Sequence, residues 1–340
     1  MKRIVYVVAL LALAAVLGAG CGETEVVRDA PVVVGTDTGS ARSSGGATSD
    51  GAIRIAVVTH GQASSPFWAT VRNGVEAAAR QNDVLVDYRA PDVYSPRRMR
   101  TMIDQAVASR PDGLVVSIPE AAVRPAIRRA TRAGIPVVSI NSGNEVYRGL
   151  GVLAHVGQPE ERAGFRAGRR LVAAGPRRAL CINQQVGNEG LAARCEGLAR
   201  AMRRAGGSSR VIGVDDQSAA TPRRIATAIE GGRIDALLAL NAATGIHAVE
   251  AMQRSGRAGS ITAGTFDLGP EVLEAVRAGR LSFAVDQQPY LQGYWPITML
   301  AQRARYGLFL GEREIVPTGP NFVTRADAAK AIELSKRSIR

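Results

Sequence analysis

Short apolar runs alternate with amphipathic helical stretches along most of the chain, beginning near Ile53. The apolar runs predict strands, over 53–61, 84–90, 112–120, 136–143, 178–184, 209–216, 234–241, 260–267 and 281–288. The stretches with helical periodicity follow them, over 66–81, 96–109, 121–133, 159–174, 189–205, 222–231, 245–256, 270–278 and 289–307. The runs are continuously apolar rather than alternating, which is typical of a parallel sheet covered on both faces.

This alternation predicts an α/β fold with right-handed crossovers and doubly wound sheets. With 340 residues the chain exceeds the roughly 250–300 residues at which a single core stops growing. We therefore expect two doubly wound parallel-sheet lobes with five or six strands each. The segment 150–157 is interpreted as a connection between the two series of alternating strands and helices. The residues after 307 are interpreted as a short tail.

The first 51 residues differ from the rest. Lys2 and Arg3 precede the apolar stretch 4–17, and the small residues before Cys21 resemble a bacterial lipobox. We expect a lipoprotein signal peptide over 1–20, removed on export, with lipidation of Cys21; an ordinary secretory signal is the alternative. Residues 21–51 are rich in Gly, Ser, Thr and Asp and predict a flexible, lipid-anchored linker, here called the tether. The sequence thus predicts an extracytoplasmic body held at a membrane surface.

The net charge of +13 comes almost entirely from arginine. These arginines are scattered along helical stretches, so we interpret them as solvated helix faces. A nucleic-acid surface would need basic residues clustered on one face, and nothing in the sequence indicates that.

Polar side chains end nearly every predicted strand. In doubly wound sheets, ligands collect beyond the carboxyl ends of the strands. The residues at these ends include His60, Asn141, Ser142, Asn183, Gln184, Asn241, Asp267, Gln287 and Gln288, while Asp92, Glu120 and Asp216 are interpreted as helix caps or turns. Amides and carboxylates suit hydroxyl groups, and the adjacent rings of Phe67 and Trp68 suit an apolar sugar face. The sequence predicts a sugar or polyol site.

Several stretches carry a family resemblance in the right order. SSPFWATVRNGVEAAA resembles the first strand–helix unit of the solute-binding proteins of simple-sugar ABC transporters, the ribose- and galactose-binding type. The further matching stretches are DGLVVSIP, AGIPVVSINS, HVGQ, LLALN, GTFD and DQQPYLQGY. The resemblance covers about residues 53–330 and implies a type I periplasmic binding protein, with a monomeric body, an ABC permease as partner, no cofactor and no enzymatic activity.

The resemblance also implies how the chain is divided. The lobes of this family are joined by a hinge of three crossings, expected near 155–158, 287–290 and 317–321. This gives an N-terminal lobe over 52–156 plus 289–317, and a C-terminal lobe with tail over 157–288 plus 318–340.

Family positions that contact the sugar can be carried over one by one. The aromatic pair falls on Phe67 and Trp68, the polar residue before it on Ser65, and the second-lobe positions on Arg194, Asn241, Asp267 and Gln287. His60 is added from its place at a strand end. Asn141 and Ser142 stand where ribose binders have an Asp–Arg pair, which puts ribose itself in doubt.

Cys181 and Cys195 are the only cysteines besides Cys21. One lies in a predicted strand and the other in the adjoining helix of an exported protein, so we expect a disulfide; two buried thiols are the alternative. The three histidines are far apart, and no cluster has metal-ligand spacing. GLGVLA (149–154) fits GxGxxA but does not open a helix after a strand, so a dinucleotide site is not expected.

Other functions compete with transport. The same body could act as a sensor that presents its closed form to a membrane kinase or chemoreceptor. A transcription regulator would need a helix-turn-helix where this chain has its leader, and a hydrolase would need an acid–base pair that the cleft residues do not indicate.

Overall fold

Two six-stranded sheets, each covered by helices on both faces, make up the part of the chain that the computed structural model describes: residues 51–61, 65–91, 93–336 and 339. Residues 1–50, with the predicted signal peptide, Cys21 and nearly all of the tether, lie outside the described residues. None of the helices in the described part is long and apolar enough to cross a membrane.

The observed strands and helices closely follow the predicted alternation. The strands are β1 (Arg54–Val58), β2 (Leu85–Arg89), β3 (Gly113–Ser117), β4 (Val137–Ile140), β5 (Ala154–Gly157), β6 (Arg178–Asn183), β7 (Ser208–Gly213), β8 (Ala236–Ala239), β9 (Thr262–Phe266), β10 (Phe283–Asp286), β11 (Ile315–Pro317) and β12 (Asn321–Val323). The helices are α1 (Pro66–Asn82), α2 (Pro96–Ala108), α3 (Arg124–Arg132), α4 (Glu160–Ala173), α5 (Glu189–Arg204), α6 (Thr221–Gly232), α7 (Ala242–Arg254), α8 (Pro270–Arg277), α9 (Pro289–Tyr306) and α10 (Arg325–Ser335).

The two sheets repeat one topology. The first has the order β2-β1-β3-β4-β5-β11 and is parallel throughout. The second has the order β7-β6-β8-β9-β10-β12, and only β12 runs antiparallel to its neighbour. In both, the strand order reverses beside the first strand, so a crevice opens at the carboxyl ends.

Three short segments connect the sheets. The chain passes from β5 to α4 through Gln158, returns from β10 to α9 through Gln287, and passes from β11 to β12 through residues 318–320. The predicted fold class, two doubly wound lobes with a three-segment hinge, is confirmed. The body that carries the first sheet is called the first lobe here, and the other the second lobe.

The continuous apolar runs have a simple structural reason. Along β1, Ile55 and Val57 pack into the core on one face of the sheet, whereas Ala56 and Val58 pack into the core on the other face. Because successive side chains of a strand point to opposite faces, a strand buried on both sides must be apolar at every position.

Two interpretations of connecting segments were wrong. The segment 150–157 contains β5, which pairs with β4, and the supposed tail contributes β11, β12 and α10. The three strands involved are only three or four residues long, so they lack the apolar length on which sequence prediction depends.

The second lobe holds α4 and α5 in unusually close contact. A Cβ atom on Gly164 would lie 2.0 Å from the carbonyl oxygen of Arg194, so only glycine permits this approach. Cys181 of β6 and Cys195 of α5 form a disulfide with a Cα–Cα distance of 5.8 Å. The predicted disulfide is thus present in the structure, and together with the close helix packing it fixes the position of Arg194.

Candidate functional site

A cavity of about 730 Å³ lies between the lobes, at the carboxyl ends of both sheets. All nine residues that the sequence proposed as ligand contacts line it: His60, Ser65, Phe67, Trp68, Asn141, Arg194, Asn241, Asp267 and Gln287. The fold therefore brings together side chains that are up to 227 positions apart in the chain. Their contact with a ligand stays a prediction. No metal-binding group of His, Cys, Asp and Glu exists among the residues that the structure describes.

Aromatic rings form the first-lobe wall of the cavity. The Trp68 ring meets the His60 ring edge-on at a centroid distance of 5.0 Å, and it meets the Phe67 ring in the same way at 5.2 Å. Gly61 makes this possible, because a Cβ atom there would lie 1.6 Å from Trp68 Nε1. Tyr94 extends the wall on the other side of His60, at 5.8 Å.

Phe67 and Trp68 play different parts. Trp68 is only 8% exposed and belongs to the core between the first sheet and helices α1 and α9, although its edge lines the cavity. Phe67 is partly exposed and packs against that core from outside. The wall opposite them, from the second lobe, combines polar groups with the aliphatic side chains of Leu191, Leu240, Ile246 and Leu268, and no aromatic ring among the described residues lines it. A ligand ring could therefore stack on an aromatic face from the first lobe only.

His60 is buried in the cavity wall and uncharged. Burial, and secondarily the charge of Arg194, lowers the pKa of its imidazole to about 3. Its Nδ1 lies 2.8 Å from Ser117 Oγ, and its Nε2 lies 3.4 Å from Asn188 Nδ2. Asn188 Oδ1 accepts from the backbone N–H of Gly190 and caps α5, which leaves Nδ2 as the donor toward His60. Nε2 is then an acceptor and Nδ1 carries the proton.

Asn141 stands at the end of β4 with a φ of 60°, a left-handed conformation that Asn tolerates better than most residues. Its Nδ2 donates to Gln292 Oε1 over 3.4 Å, and its Oδ1 accepts from Ser142 Oγ over 3.1 Å. The place of the Asp–Arg pair of ribose binders is thus taken by an uncharged, mutually hydrogen-bonded pair.

Arg194 is buried in the opposite wall and is almost fully engaged by the protein. Its Nε and Nη2 donate to the two oxygens of Glu160 over 2.6 and 3.0 Å, and its Nη1 donates to the Leu240 carbonyl over 3.2 Å. The guanidinium also stacks 4.3 Å from the Phe266 ring centre. Glu160 is 1% exposed, so this is a buried, bidentate ion pair, and the reading of Arg194 as a solvated arginine is excluded.

Asp267 directly follows β9 and has a φ of 67°, at the position in the second sheet that matches Asn141 in the first. Its Oδ1 accepts from Gln287 Nε2, and Gln287 Oε1 accepts from Arg194 Nη2 over 3.0 Å. Burial raises the pKa of Asp267 to about 6, against the charge of Arg194 and the hydrogen bond from Gln287, which both lower it. Its carboxylate is therefore a strong acceptor at neutral pH that loses its charge in mild acid.

Asn241 is both a helix cap and a cavity residue. Its Oδ1 accepts from the Thr244 N–H over 2.9 Å at the start of α7, and its Nδ2 donates to Asp216 Oδ2 over 2.6 Å. The interpretation of Asp216 as only a cap or turn was wrong, since it lines the cavity and orients Asn241. Its strand, β7, ends three residues earlier, so the carboxylate reaches the cavity from a loop.

Several cavity residues were not among the ligand contacts that the sequence proposed, chief among them Tyr94, Gln184, Gln185 and Asn188. Gln184 was noted at the end of a predicted strand but not assigned to the site; its Oε1 is buried and has no hydrogen-bond partner among the described residues. Tyr94 lies in the loop before α2, where no periodicity points to the cavity. Its hydroxyl donates to Glu120, and burial with this bond raises its pKa.

The lobes touch across the mouth of the cavity at the start of α5. Besides the contact with His60, Asn188 Oδ1 lies 3.3 Å from Ser142 Oγ of the first lobe. The Glu189 N–H donates to the Pro119 carbonyl over 2.8 Å, and the Glu189 carboxylate pairs with Arg124. The structure is therefore that of a closed form.

Comparisons with known proteins agree with this geometry. A family profile described as "Periplasmic binding protein domain" matches residues 55–307. The xylose/arabinose-binding protein XylF of Sulfolobus acidocaldarius is 25% identical over 303 residues, which cover 81% of this chain and 71% of that protein.

Solved structures give the same result. The structure of a carbohydrate transporter from Acidothermus cellulolyticus 11B, in complex with myo-inositol, has a TM-score of 0.79 and 32% identity, and the match covers 85% of this chain and all of that one. A solute-binding protein from Burkholderia graminis C4D1M, in complex with D-arabinose, has a TM-score of 0.73 and 20% identity, with coverage of 81% and 96%. The chain therefore belongs to the periplasmic binding protein family and is a binding protein rather than an enzyme.

Proposed function

We propose that this protein captures an uncharged simple sugar or related polyol between its lobes and delivers it to an ABC permease. The main observation in support of this proposal is the contrast between the two walls of the cavity. One presents the rings of Phe67 and Trp68, and the other presents the acceptors and donors of Asp267, Asn241 and Gln287. Apolar C–H faces fit the first wall and hydroxyl groups fit the second.

The charges of the cavity favour a neutral ligand. The positive charge of Arg194 is matched by the bidentate bond to Glu160, so little of it is left for an anionic ligand. Asp267 and Asp216 add two carboxylates to the same wall. Sugar acids and sugar phosphates would meet a net negative surface and lose their hydration without a matching cation.

Free hydrogen-bonding capacity in the wall also suits hydroxyl groups. Gln184 Oε1 is a buried acceptor with no partner in the described part of the chain, and a ligand hydroxyl would satisfy it. The relatives agree in ligand class, since the Sulfolobus protein is named for xylose and arabinose, and the Acidothermus structure holds myo-inositol.

Capture is proposed to occur by hinge motion. The first two crossings lie side by side, where Gln158 Nε2 donates to Gln287 Oε1 over 3.3 Å, and Gln292 bonds to Gln287 and to Thr318 of the third crossing. Rotation about these segments opens the cleft, and the contacts at the start of α5 form when it closes.

In this proposal the body is a monomer, held at the outer face of the cell membrane by a lipid on Cys21, and its closed form docks to the permease. The alternative partner is a membrane kinase or chemoreceptor that senses the same closed form. The genes beside this one separate the two, because a permease and an ATPase indicate transport and a histidine kinase indicates sensing.

A thermal-shift screen of the body from Ser49 against sugars, cyclitols, nucleosides and amino acids tests the ligand class. A ligand that binds only the folded state raises the midpoint as its concentration increases above Kd. We expect a response to one or more neutral polyols and none to the corresponding sugar phosphates. A response confined to nucleosides or amino acids would exclude the sugar site.

A further inference from the structure

The last residue of α9 and the loop after it expose three large apolar side chains. Tyr306, Leu308 and Leu310 are 62%, 63% and 59% exposed. Phe309, between two of them, turns inward and packs on the core of the first lobe. Because Phe309 anchors the loop, its neighbours are held outward in fixed positions, so their exposure is a property of the fold. This set of three side chains is called the apolar triad below.

The apolar triad lies at the end of the first lobe opposite the cleft. Helix α9 begins beside the cavity residue Gln287 and runs 18 residues away from it, about 27 Å at 1.5 Å per residue. Around the loop, Arg305 donates to the Asn82 carbonyl at the end of α1 over 2.8 Å. The Arg313 N–H donates to the Leu153 carbonyl, just before β5.

The tether joins the body at this same end. Residues 51–53 lead directly into β1, whose first residue lies at the amino edge of the parallel first sheet. Leu85, at the start of β2, donates its N–H to the Ile53 carbonyl over 2.9 Å. The chain that leads back toward Cys21 therefore leaves the body at the edge that carries the apolar triad.

Positive charge predominates at the edge of the first lobe that carries the apolar triad. The arginines at this edge of the lobe stand at the start of β1, in the last turns of helices or in the loops beside them, and they include Arg54, Arg80, Arg110, Arg132, Arg148, Arg303, Arg305 and Arg313. Fewer carboxylates stand there, among them Asp83, Asp112, Glu312 and Glu314. A Tyr and two Leu within an arginine-rich rim match the interface of an anionic bilayer, where apolar side chains enter the head-group boundary and guanidinium groups bind phosphate.

We propose that this end of the first lobe is a membrane-resting face, on which the tethered body lies against anionic phospholipid. The proposal rests on the proposed export and lipid anchoring, which place lipid within reach of the tether. A second copy of the chain fits less well, because two arginine-rich rims would repel each other and three side chains are a small area for a stable dimer. With this end on the lipid, the cavity lies on the side of the first lobe away from the membrane.

Vesicle partitioning of the body from Ser49 tests the proposal without the anchor. Every buried core residue in the described part of the chain lies between Ile55 and Ala331, so this body holds a complete core. We expect it to sediment with vesicles that contain phosphatidylglycerol, more weakly with phosphatidylcholine alone, and less as salt is raised. Replacing the apolar triad with serine should reduce the partition coefficient roughly tenfold or more.

The matched control changes exposed apolar residues of the second lobe. Val186 and Val211 are 78% and 54% exposed, and their replacement by serine should leave partitioning unchanged. Equal partitioning of both variants, or no partitioning of the unaltered body, would overturn the membrane-resting face. So would a dimer, detected by sedimentation equilibrium, that the triad variant abolishes.

The ligand-induced thermal shift separates this proposal from the proposed function. The triad variant should keep the full response to a sugar that stabilises the unaltered body. A body that partitions as expected but responds to no polyol would contradict the sugar-binding proposal alone.

Discussion

Asn188 joins the two lobes through His60: its Nδ2 lies 3.4 Å from His60 Nε2, while its Oδ1 caps helix α5. The same side chain therefore fixes a helix of the second lobe and contacts the first. Because none of these atoms belongs to a ligand, part of the free energy of closure is available to the empty protein. A bound ligand then adds its own contacts to a closed form that the empty protein already stabilises.

We expect Asn188→Asp to weaken ligand binding without weakening the fold. Asp keeps the cap, since its oxygen still accepts from the Gly190 N–H. It has no donor for His60 Nε2, so the closed form loses a hydrogen bond of about 1 kcal/mol, or roughly fivefold in affinity. Isothermal titration with the identified ligand gives the affinity, and urea denaturation gives the free energy of unfolding.

Asn188→Ala serves as the comparison. It removes both the cap and the contact with His60, so it should lower the free energy of unfolding by about 1 kcal/mol as well as the affinity. If Asn188→Asp bound ligand as tightly as the unaltered protein, Asn188 would have no part in closure.

Ligand affinity should depend on pH through Asp267. The pKa of its carboxyl is raised to about 6, chiefly by burial, from an ordinary value of 3.8. A ligand hydroxyl that donates to this group selects the ionised form, so affinity should be highest above pH 7 and fall as pH drops below about 6. For the empty protein the sign is opposite. The folded state holds this proton more tightly than the unfolded chain, so Asp267 lowers the stability as pH rises from about 4 to 6.

Asp267→Asn should remove this dependence. Loss of a charged acceptor costs about 2 kcal/mol, or roughly thirtyfold in affinity at neutral pH, and the remaining binding should be flat between pH 5 and 7. Titration calorimetry at several pH values measures both effects. If the affinity of Asp267→Asn depended on pH as strongly as that of the unaltered protein, a group other than Asp267 would be responsible for the pH dependence.

Glu160→Gln should strongly destabilise the second lobe. Glu160 is 1% exposed, and its loss would leave the buried Arg194 cation without its counter-charge, at a cost of about 3–5 kcal/mol. Glu161→Gln is the matched control, because Glu161 pairs with Arg200 on the surface, where such a pair contributes about 0–1 kcal/mol. Equal unfolding midpoints in urea for the two variants would contradict the assigned role of the buried pair.

Replacing the adjacent residues Phe67 and Trp68 one at a time should affect stability and ligand affinity differently. Trp68 is a core residue, so Trp68→Ala should cost about 3–5 kcal/mol of stability. Phe67 packs on the core from outside, and Phe67→Ala should cost less stability yet reduce affinity roughly tenfold if its ring contacts the sugar. A Phe67→Ala protein with unaltered affinity would place the ligand against the other rings.

The sequence predicted the fold and the place of the site for clear physical reasons. Strands buried on both faces are continuously apolar, as β1 is, and parallel topology collects their polar ends at one edge. Asn141 and Asp267 follow their strands directly and Asn241 follows one residue later, so their common position could be predicted from the pattern alone.

Other parts depend on contacts that have no sequence signal. The strands β11 and β12 are three residues long and form because they pair with β5 and β10. Glu160 reads as an exposed acidic residue in the first turn of a helix, and only its bond to Arg194 shows that it is buried. Likewise, Asn188 reads as an ordinary helix cap, and its contact with His60 depends on how the lobes meet.

The disulfide between Cys181 and Cys195 closes a short loop, with a sequence separation of 14. Within this loop lie several of the cavity residues of the second lobe, namely Gln184, Gln185, Asn188, Leu191 and Arg194. The covalent bond therefore preorganises one side of the recognition surface before any solute arrives. This segment loses conformational entropy when the disulfide forms. Ligand binding therefore need not order it again.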